Sequence, residues 1–364
     1  MIFENLVVRT PGKSLDNCFV YRHMPEWHTR CYNPVLLDLA SPAALPYLSG
    51  ILNTPQSALT VEELGGGVSN TVLLVASPHQ RCVVKQALSK LRVAEDWFST
   101  PERIFRECEA IRQLEPVLPA GSVPHVLFED RDNYVFGMTA APSEAAPWKK
   151  LLLEGSFDHG TARAVGRLLA AMIRESEKRR GWQKTFGDLS VFVELRLDPY
   201  YSTTASRHPD LKQSFDALLA ECTERRISLV HGDFSPKNLL VSNNQVMLID
   251  YEVVHFGDPS FDAAFLTNHL MLKGFHLPRW RNAYRGLARG FWDELIDGLP
   301  SHFGWLEPAA VRHLGALMLA RIDGKSPVEY IQDPHTKERV RTAGREILLD
   351  PPQSIETVFE WYLA

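Results

Sequence analysis

The sequence has few features of a secreted, membrane-spanning or nucleic-acid-binding protein. Only five cysteines occur in 364 residues. They are scattered without a CxxC pair, so we expect reduced thiols and no catalytic cysteine. No apolar run approaches the roughly 20 residues of a membrane helix, and the net charge of −5 gives no general attraction to nucleic acid. The first residues show no basic stretch followed by an apolar one, so no signal peptide and a cytoplasmic location are expected.

The composition predicts a folded α+β protein with two lobes. Hydrophobic residues make up 45% of the chain and charged residues 23%, which is typical of globular proteins. Strand-like sequence runs to about residue 140 and helix-like sequence follows. We therefore expect an N-terminal extension at 1–58 packed on a β-rich N-lobe at 59–141, and a mainly helical C-lobe at 142–364. The function of the extension cannot be inferred.

A stretch in the second half concentrates oxygen-bearing side chains. Two apolar runs, within 229–241 and 246–252, are predicted to be short buried strands, with a tight turn at Asn243 and Asn244. The polar loop and the end of the second run carry Asp233, Asn238, Asp250 and Glu252. Such a group can accept a proton from a hydroxyl and can hold Mg²⁺ through oxygen ligands.

A glycine-rich turn lies between two β-rich runs near the start of the N-lobe. It comprises Gly65, Gly66 and Gly67, followed by Ser69 and Asn70. Glycines let backbone N–H groups approach a phosphate closely. A plain hairpin is the alternative interpretation, and no Walker A motif is present.

A buried ion pair is predicted between a strand and the following helix. Lys85 ends an apolar strand, and residues 101–114 have a helical pattern. Glu107 shares the apolar face of Ile104 and Ile111, whereas Glu109 points elsewhere. An inward carboxylate needs a cation, which favours pairing of Glu107 with Lys85 over an exposed lysine at the strand end.

The order of these elements resembles the protein-kinase-like fold. The residues at 231–238 (HGDFSPKN), 248–252 (LIDYE) and 257–259 (GDP) are similar to those of the aminoglycoside phosphotransferase and choline kinase superfamily. The residues at 83–88, with Arg92 shortly after, resemble methylthioribose kinases in particular. The resemblance implies ATP and Mg²⁺ as cofactors and phosphoryl transfer to a hydroxyl as the reaction.

The resemblance also implies a role for each residue. The catalytic group would be Asp233, with Lys85 on the ATP phosphates and Glu107 orienting it. The remaining nucleotide contacts would be Gly65, Gly66, Gly67, Ser69 and Asn70 over the phosphates, and Met138 and Ala140 in a hinge facing the adenine. The metal ligands would be Asn238, Asp250 and, as in the DxE pattern of methylthioribose kinases, Glu252.

Two departures bear on the acceptor. Methylthioribose kinases do not carry an asparagine where this chain has Asn238, so their substrate cannot be transferred to it. No long activation segment or Ala-Pro-Glu motif follows Asp250, which favours a small-molecule acceptor, namely a sugar, an amino alcohol or an aminoglycoside. Residues 186–201 and 319–330 are candidates for the acceptor pocket, although a surface connection and a helix-end pattern explain them equally well. Asp262 is expected to cap the following helix.

The alternative function is a catalytically silent kinase-fold protein that binds a nucleotide or a partner, and a protein kinase is less favoured. The sequence leaves open whether ATP or GTP is used. It also leaves open whether the protein is a monomer or a homodimer.

Overall fold

Five antiparallel strands form the sheet of the N-terminal half, in the order β1-β2-β3-β5-β4. In this computed structural model, residues 37–65, 69–92, 97–243 and 245–363 are described, and all of them belong to one unit, Leu37–Ala364. The strands are β1 Thr60–Glu63, β2 Asn70–Ala76, β3 Arg81–Ala87, β4 Val126–Asp130 and β5 Val135–Thr139. The central strand β3 pairs with β2 on one side and β5 on the other.

The two faces of this sheet are covered by different helices. Helix α1, Ala44–Ile51, packs its Leu48 with Val75 of β2 and Val84 of β3. Helix α2, Arg103–Leu114, packs on the opposite face, where it contacts β3, β4 and β5. Because side chains alternate along a strand, Lys85 points to the face opposite that of Val84, toward α2.

The second half is mainly helical and holds the larger hydrophobic core. Its helices are α3 Trp148–Leu153, α4 His159–Glu177, α5 Trp182–Phe186, α6 Ser190–Phe192, α7 Thr203–Arg207, α8 Lys212–Glu224, α9 Ser260–His276, α10 Arg281–Asp297, α11 Leu306–Asp323, α12 Pro334–Leu349 and α13 Ile355–Tyr362. Helix α9 is buried along nearly its whole length between α10 and α11. The predicted combination of a β-rich first lobe and a helical second lobe is confirmed.

Short strands position the loop that carries Asp233. Strand β7, Ser228–Val230, pairs with β10, His255–Gly257. The hairpin β8–β9, Leu239–Ser242 and Gln245–Leu248, pairs through β8 with the short strand β6, Ala146–Pro147. The loop therefore leaves one buried strand and enters another, which fixes both of its ends.

One segment of the second lobe has a conformation that was not expected from the sequence. Residues Val193–Ser202 form a π-helical segment that contains Pro199, where the sequence indicated only a polar and aromatic connection. Such wide turns are frequent at functional sites.

No described helix is long and apolar enough to cross a membrane.

Candidate active site

Lys85 lies between two carboxylates in the cleft below the sheet. Its Nζ is 2.8 Å from Glu107 Oε2 and 2.7 Å from Asp250 Oδ1. Lys85 and Glu107 are 3% and 0% exposed, so both charges are out of water. Burial by itself would lower the pKa of Lys85, but the Asp250 and Glu107 carboxylates raise it above its usual value. The lysine is therefore held in its charged form.

Asp250 has a backbone conformation that directs its side chain into the cleft. It follows β9 and has a φ of +72°. Non-glycine residues rarely adopt such a positive φ, and those that do are frequently found at functional sites. Burial would raise the pKa of Asp250, but pairing with Lys85 and the nearby charge of Lys237 bring it below its ordinary value. The carboxylate is thus ionised, with Oδ1 used by Lys85.

A glycine and a buried carboxylate fix the loop before Asp233. Gly232 has a φ of +76°, and a Cβ there would lie 2.8 Å from a Val253 side-chain carbon, so only glycine fits. The N–H groups of His231 and Gly232 donate to Asp262 at 2.6 and 2.9 Å. The expectation that Asp262 caps its own helix is wrong, since its carboxylate is used by this loop. It is Asp258 that accepts from the Ser260 N–H, at 2.9 Å.

His231 contributes to the same loop as a neutral ring. Burial lowers the pKa of His231 to about 4, so the imidazole is uncharged at neutral pH. One ring nitrogen, Nε2, lies 3.1 Å from the Ile249 carbonyl oxygen, and Nδ1 accepts from the Asp233 N–H at 3.2 Å. The histidine thereby connects the loop to the end of β9.

Asp233 is buried and pairs with two cations. Its Oδ2 lies 2.9 Å from an Arg196 nitrogen and 2.8 Å from Lys237 Nζ. Burial would raise the pKa of Asp233, but Arg196 and Lys237 outweigh it and lower the pKa. Neither cation was predicted. Lys237 could have been found from its spacing, because it follows Asp233 by four residues in the same loop. Arg196 comes from the π-helical segment, which no pattern in the sequence predicts.

Asn238 is held by the same loop. Its Nδ2 donates to the Asp233 carbonyl oxygen at 3.0 Å, and its backbone carbonyl accepts from the Ile249 N–H at 3.0 Å. This contact fixes the plane of the amide and turns Oδ1 away from the Asp233 carbonyl. Asn238, Asp233 and Asp250 are therefore neighbours around one cleft.

Glu252 connects the glycine-rich turn to the helical lobe. Its Oε1 accepts from Ser69 Oγ at 2.7 Å, and its Oε2 accepts from Asn70 Nδ2 at 3.0 Å and from Arg103 Nε at 3.1 Å. Arg103 is 1% exposed and also donates to the Ser69 carbonyl oxygen. Arg103 was not predicted, although it precedes Glu107 by one helical turn and so shares its inward face.

The remaining predicted nucleotide contacts belong to the glycine-rich turn and to the end of β5. Gly66 and Gly67 lie outside the described residues, and Gly65 is exposed with open space around its Cα. Met138 is buried in β5, and the Ala140 N–H makes a long contact of 3.4 Å with the Arg81 carbonyl oxygen. Met138 thus lies near the end of β5, and Ala140 directly follows this strand.

A cavity of about 310 Å³ extends from Asp233 and Asp250 into the helical lobe. Both stretches that the sequence proposed for a pocket contribute to it, with Arg196 and Tyr200 from one and Arg321 and Tyr330 from the other. Further charged side chains on its wall are Lys149, Lys237, Lys273, Lys325 and Glu329. Of these, Lys149, Lys237 and Lys273 lie outside those two stretches.

The chain is similar in sequence to known phosphotransferases. Residues 60–295 match the model of the phosphotransferase enzyme family, APH. Methylthioribose kinase 1 of Oryza sativa is 25% identical over 260 residues, covering 64% of this chain and 60% of the relative. Methylthioribose kinase of Escherichia coli is 24% identical over 248 residues, covering 60% of this chain and 59% of the relative. The chain thus spans about three fifths of these relatives' length.

Solved structures show the same fold at low sequence identity. Amicoumacin kinase hAmiN, in complex with AMP-PNP, Ca²⁺ and Ami, has a TM-score of 0.53 at 13% identity, covering 83% of this chain and 91% of that one. The ADP-bound aminoglycoside phosphotransferase APH(2'')-Ib has a TM-score of 0.50 at 15% identity, covering 86% and 98%. The kinase-like fold and the resemblance inferred from the motifs are both confirmed.

Proposed function

The chain belongs to the phosphotransferase enzyme family, and on that premise we propose that it is an ATP- and Mg²⁺-dependent kinase for a small-molecule hydroxyl. The observation that carries the proposal is Lys85, buried between Glu107 and Asp250. Asp250 and Asp233 line one cavity, and Asn238 donates to the Asp233 carbonyl oxygen. Phosphoryl transfer requires charge compensation and in-line positioning rather than covalent chemistry, and these groups supply both.

We assign the nucleotide to the N-lobe, residues 59–141. Lys85 binds the phosphates and Glu107 keeps it in place. The turn from Gly65 to Asn70, including Gly66, Gly67 and Ser69, covers the phosphates. The backbone around Met138 and Ala140 meets the adenine. The anchoring of Ser69 and Asn70 by Glu252 supports this assignment, because it holds the end of the turn over the cleft.

We assign Mg²⁺ to Asn238 and Asp250, which lie in the catalytic lobe at 142–364. The donor set fits a hard cation, since Asn238 has its Oδ1 and Asp250 its Oδ2 free of the contacts described above. The ion would neutralise charge on the phosphate oxygens. Glu252 stays a predicted ligand, but it would have to give up hydrogen bonds from Ser69 or Asn70 to reach the metal.

We assign the acceptor hydroxyl to Asp233. Arg196 and Lys237 both contact Oδ2, which leaves Oδ1 to accept a hydrogen bond from the hydroxyl. Because the pKa of Asp233 is lowered, the carboxylate orients the hydroxyl first and takes its proton late in the transfer. Lys237 is close enough to Asp233 to stabilise the transferred phosphoryl group.

The acceptor is a small molecule bound in the cavity of the helical lobe. Its volume of about 310 Å³ is within the size range of small-ligand sites. The relatives are named as kinases of methylthioribose and the structural neighbours as kinases of amicoumacin and aminoglycosides. A sugar, an amino alcohol and an aminoglycoside are therefore the first acceptors to test.

The test is ATP turnover, with and without Mg²⁺, across a panel of small hydroxyl compounds. Wild type should phosphorylate at least one of them, and Asp233→Ala should lower kcat by about 10²- to 10⁴-fold, as loss of a positioned acid–base group does. The matched control is Asp216→Ala, which removes an exposed carboxylate of α8 that pairs with the exposed Lys212. Equal background turnover for wild type and Asp233→Ala on every compound would instead indicate a silent kinase-fold protein.

A further inference from the structure

Lys273 is a buried cation on the wall of the cavity, and its hydrogen bond and ring contact with described residues do not involve an acid. It lies on α9 and is 0% exposed. Its Nζ donates to the His269 carbonyl oxygen at 3.1 Å and lies 5.3 Å from the centroid of the Tyr330 ring. In the part of the chain that the structure describes, no carboxylate forms an ion pair with it. A buried charge without a counter-ion destabilises a fold by several kcal/mol.

A second cation near Lys273, Arg321, forms no ion pair with an acid of the described segments. Arg321 of α11 donates to Tyr200 Oη at 3.2 Å and to Ser326 Oγ at 2.9 Å. Its Nε is buried and has no hydrogen-bond partner among the described residues. A guanidinium with an unused buried N–H is suited to bind a planar or tetrahedral anion.

The surroundings of these two side chains are positively charged. Lys149 and Lys325 also line the cavity. Glu329 pairs with Lys149, and Asp198 is close enough to Lys325 to interact with its charge. Among the described residues, these four cations therefore have two acids, Glu329 and Asp198, near them. Burial, followed by the charge of Lys149, lowers the pKa of Lys273 to about 7, with Arg321 adding to the effect and Glu329 opposing it. A negative ligand would remove this repulsion.

The cationic wall and the catalytic carboxylate lie at two ends of one cavity. Tyr200 lies between them: the Arg196 guanidinium is 5.8 Å and the Arg321 guanidinium 5.6 Å from its ring centroid. Arg196 is the partner of Asp233, so the two ends are about one aromatic ring apart. The charged groups that act on Lys85 are Asp250, Glu107 and Glu252, whereas those that act on Lys273 are Lys149, Arg321 and Glu329. The wall is therefore distinct from the phosphate-binding lysine.

We propose that the acceptor is an acidic small molecule whose carboxylate or phosphate group is bound by Lys273 and Arg321 while its hydroxyl meets Asp233. The charge of the wall disfavours cationic acceptors, so it selects against amino alcohols and aminoglycosides. This inference depends on the proposed kinase function for the role of the hydroxyl, but the binding of the anion can be measured without turnover.

The experiment is calorimetric titration of the full chain with matched compounds that differ in one group. The probes are glycerol, glycerate and glycerol 3-phosphate, then ribose and ribose 5-phosphate, with inorganic phosphate alone as the simplest anion. We expect an anionic member to bind at least about tenfold tighter than its neutral match, as a charge-assisted hydrogen bond provides. Binding at pH 7.5 should also take up protons, because the bound anion raises the pKa of Lys273.

Variants then test the residues. Lys273→Met should remove the preference for the anion and the proton uptake, and Lys212→Met, an exposed lysine of α8, should leave both unchanged. Arg321→Met should weaken the anion about tenfold, as loss of a charged hydrogen bond does. Lys325→Met, on the exposed rim, provides a second readout if Lys273→Met does not fold. Comparing carboxylate with phosphate identifies which anion is preferred.

The outcomes separate this inference from the kinase proposal. Anion binding that depends on Lys273 but is never followed by phosphorylation would support the inference and contradict the kinase function. Turnover of a neutral or cationic compound that is unaffected by Lys273→Met would support the kinase function and overturn the inference. Equal affinity within all matched pairs, or no binding of any anion, would overturn it as well.

Discussion

Two buried lysines in this protein, Lys85 and Lys273, differ in what surrounds them. Lys85 contacts two carboxylates, and its pKa is raised above that of a free lysine. Lys273 has cations as its main charged neighbours, and burial lowers its pKa to about 7. A compensated charge forms part of a preorganised site, whereas an uncompensated one is suited to an external partner. The difference separates the groups proposed for phosphoryl transfer from those proposed to select the acceptor.

Removing Asp250, the carboxylate that contacts Lys85 and is proposed to bind the metal, should have a large effect on activity. In Asp250→Ala, we expect Mg²⁺-dependent turnover to fall by about 10²- to 10³-fold or more, since a charge-stabilising group is lost. Glu107 would still pair with Lys85, so circular dichroism should show a folded protein. Asp216→Ala is again the matched control. Loss of the fold would show that Asp250 is a structural residue.

Lys85→Met removes the cation from the compensated group, which consists of Lys85, Glu107 and Asp250. It leaves Glu107 buried without its cation, so the free energy of unfolding should drop by about 3 to 5 kcal/mol. Urea denaturation measures this, and adding Glu107→Leu to Lys85→Met should recover part of the loss. If the double variant is no more stable than the single one, the two residues are not energetically coupled.

Lys273→Met should change the free energy of unfolding in the direction opposite to that of Lys85→Met. Replacing a buried, uncompensated cation by an apolar side chain of similar length should raise the free energy of unfolding by about 1 to 4 kcal/mol. The same urea experiment tests it, with the exposed Lys212→Met expected to change stability by less than about 0.5 kcal/mol. A destabilisation as large as that of Lys85→Met would mean that Lys273 has a partner within the protein.

The sequence predicted the compensated side because its signals are local or periodic. Asp233 and Asn238 lie in one loop, and helical spacing placed Glu107 on the inward face of α2, where the structure has it against Lys85. The strands from β2 to β5 were identifiable from apolar runs separated by turn residues. These features require no knowledge of how distant segments pack.

The uncompensated side could not be predicted in this way. Lys273 is a single lysine in an apolar helix, and its neighbours Lys149 and Arg321 come from α3 and α11. Only the packing of those helices brings the three together. The same reason explains Asp262, because sequence cannot tell whether an aspartate near a helix start caps that helix or accepts from another loop.

The comparison can be sharpened by pH, because the two lysines differ in the direction in which their pKa is shifted. The pKa of Lys273 is about 7 in the folded protein and near 10.4 in an unfolded chain, so the unfolded state binds more protons between these values. Wild type should therefore gain stability as pH rises through that window, by up to about 1.4 kcal/mol per pH unit.

The charged and titratable groups around Lys273 include Lys149, Arg321, Glu329, His269, His276 and Tyr330, and all six are kept in Lys273→Met. Subtracting the free energy of unfolding of this variant from that of wild type therefore isolates the lysine. In urea denaturation, the difference in free energy of unfolding between Lys273→Met and wild type should become smaller from pH 7 to pH 9.5. Bound inorganic phosphate should hold Lys273 in its charged form and weaken this pH dependence. A difference that stays constant with pH would mean that Lys273 keeps its proton throughout and is compensated within the protein, as Lys85 is.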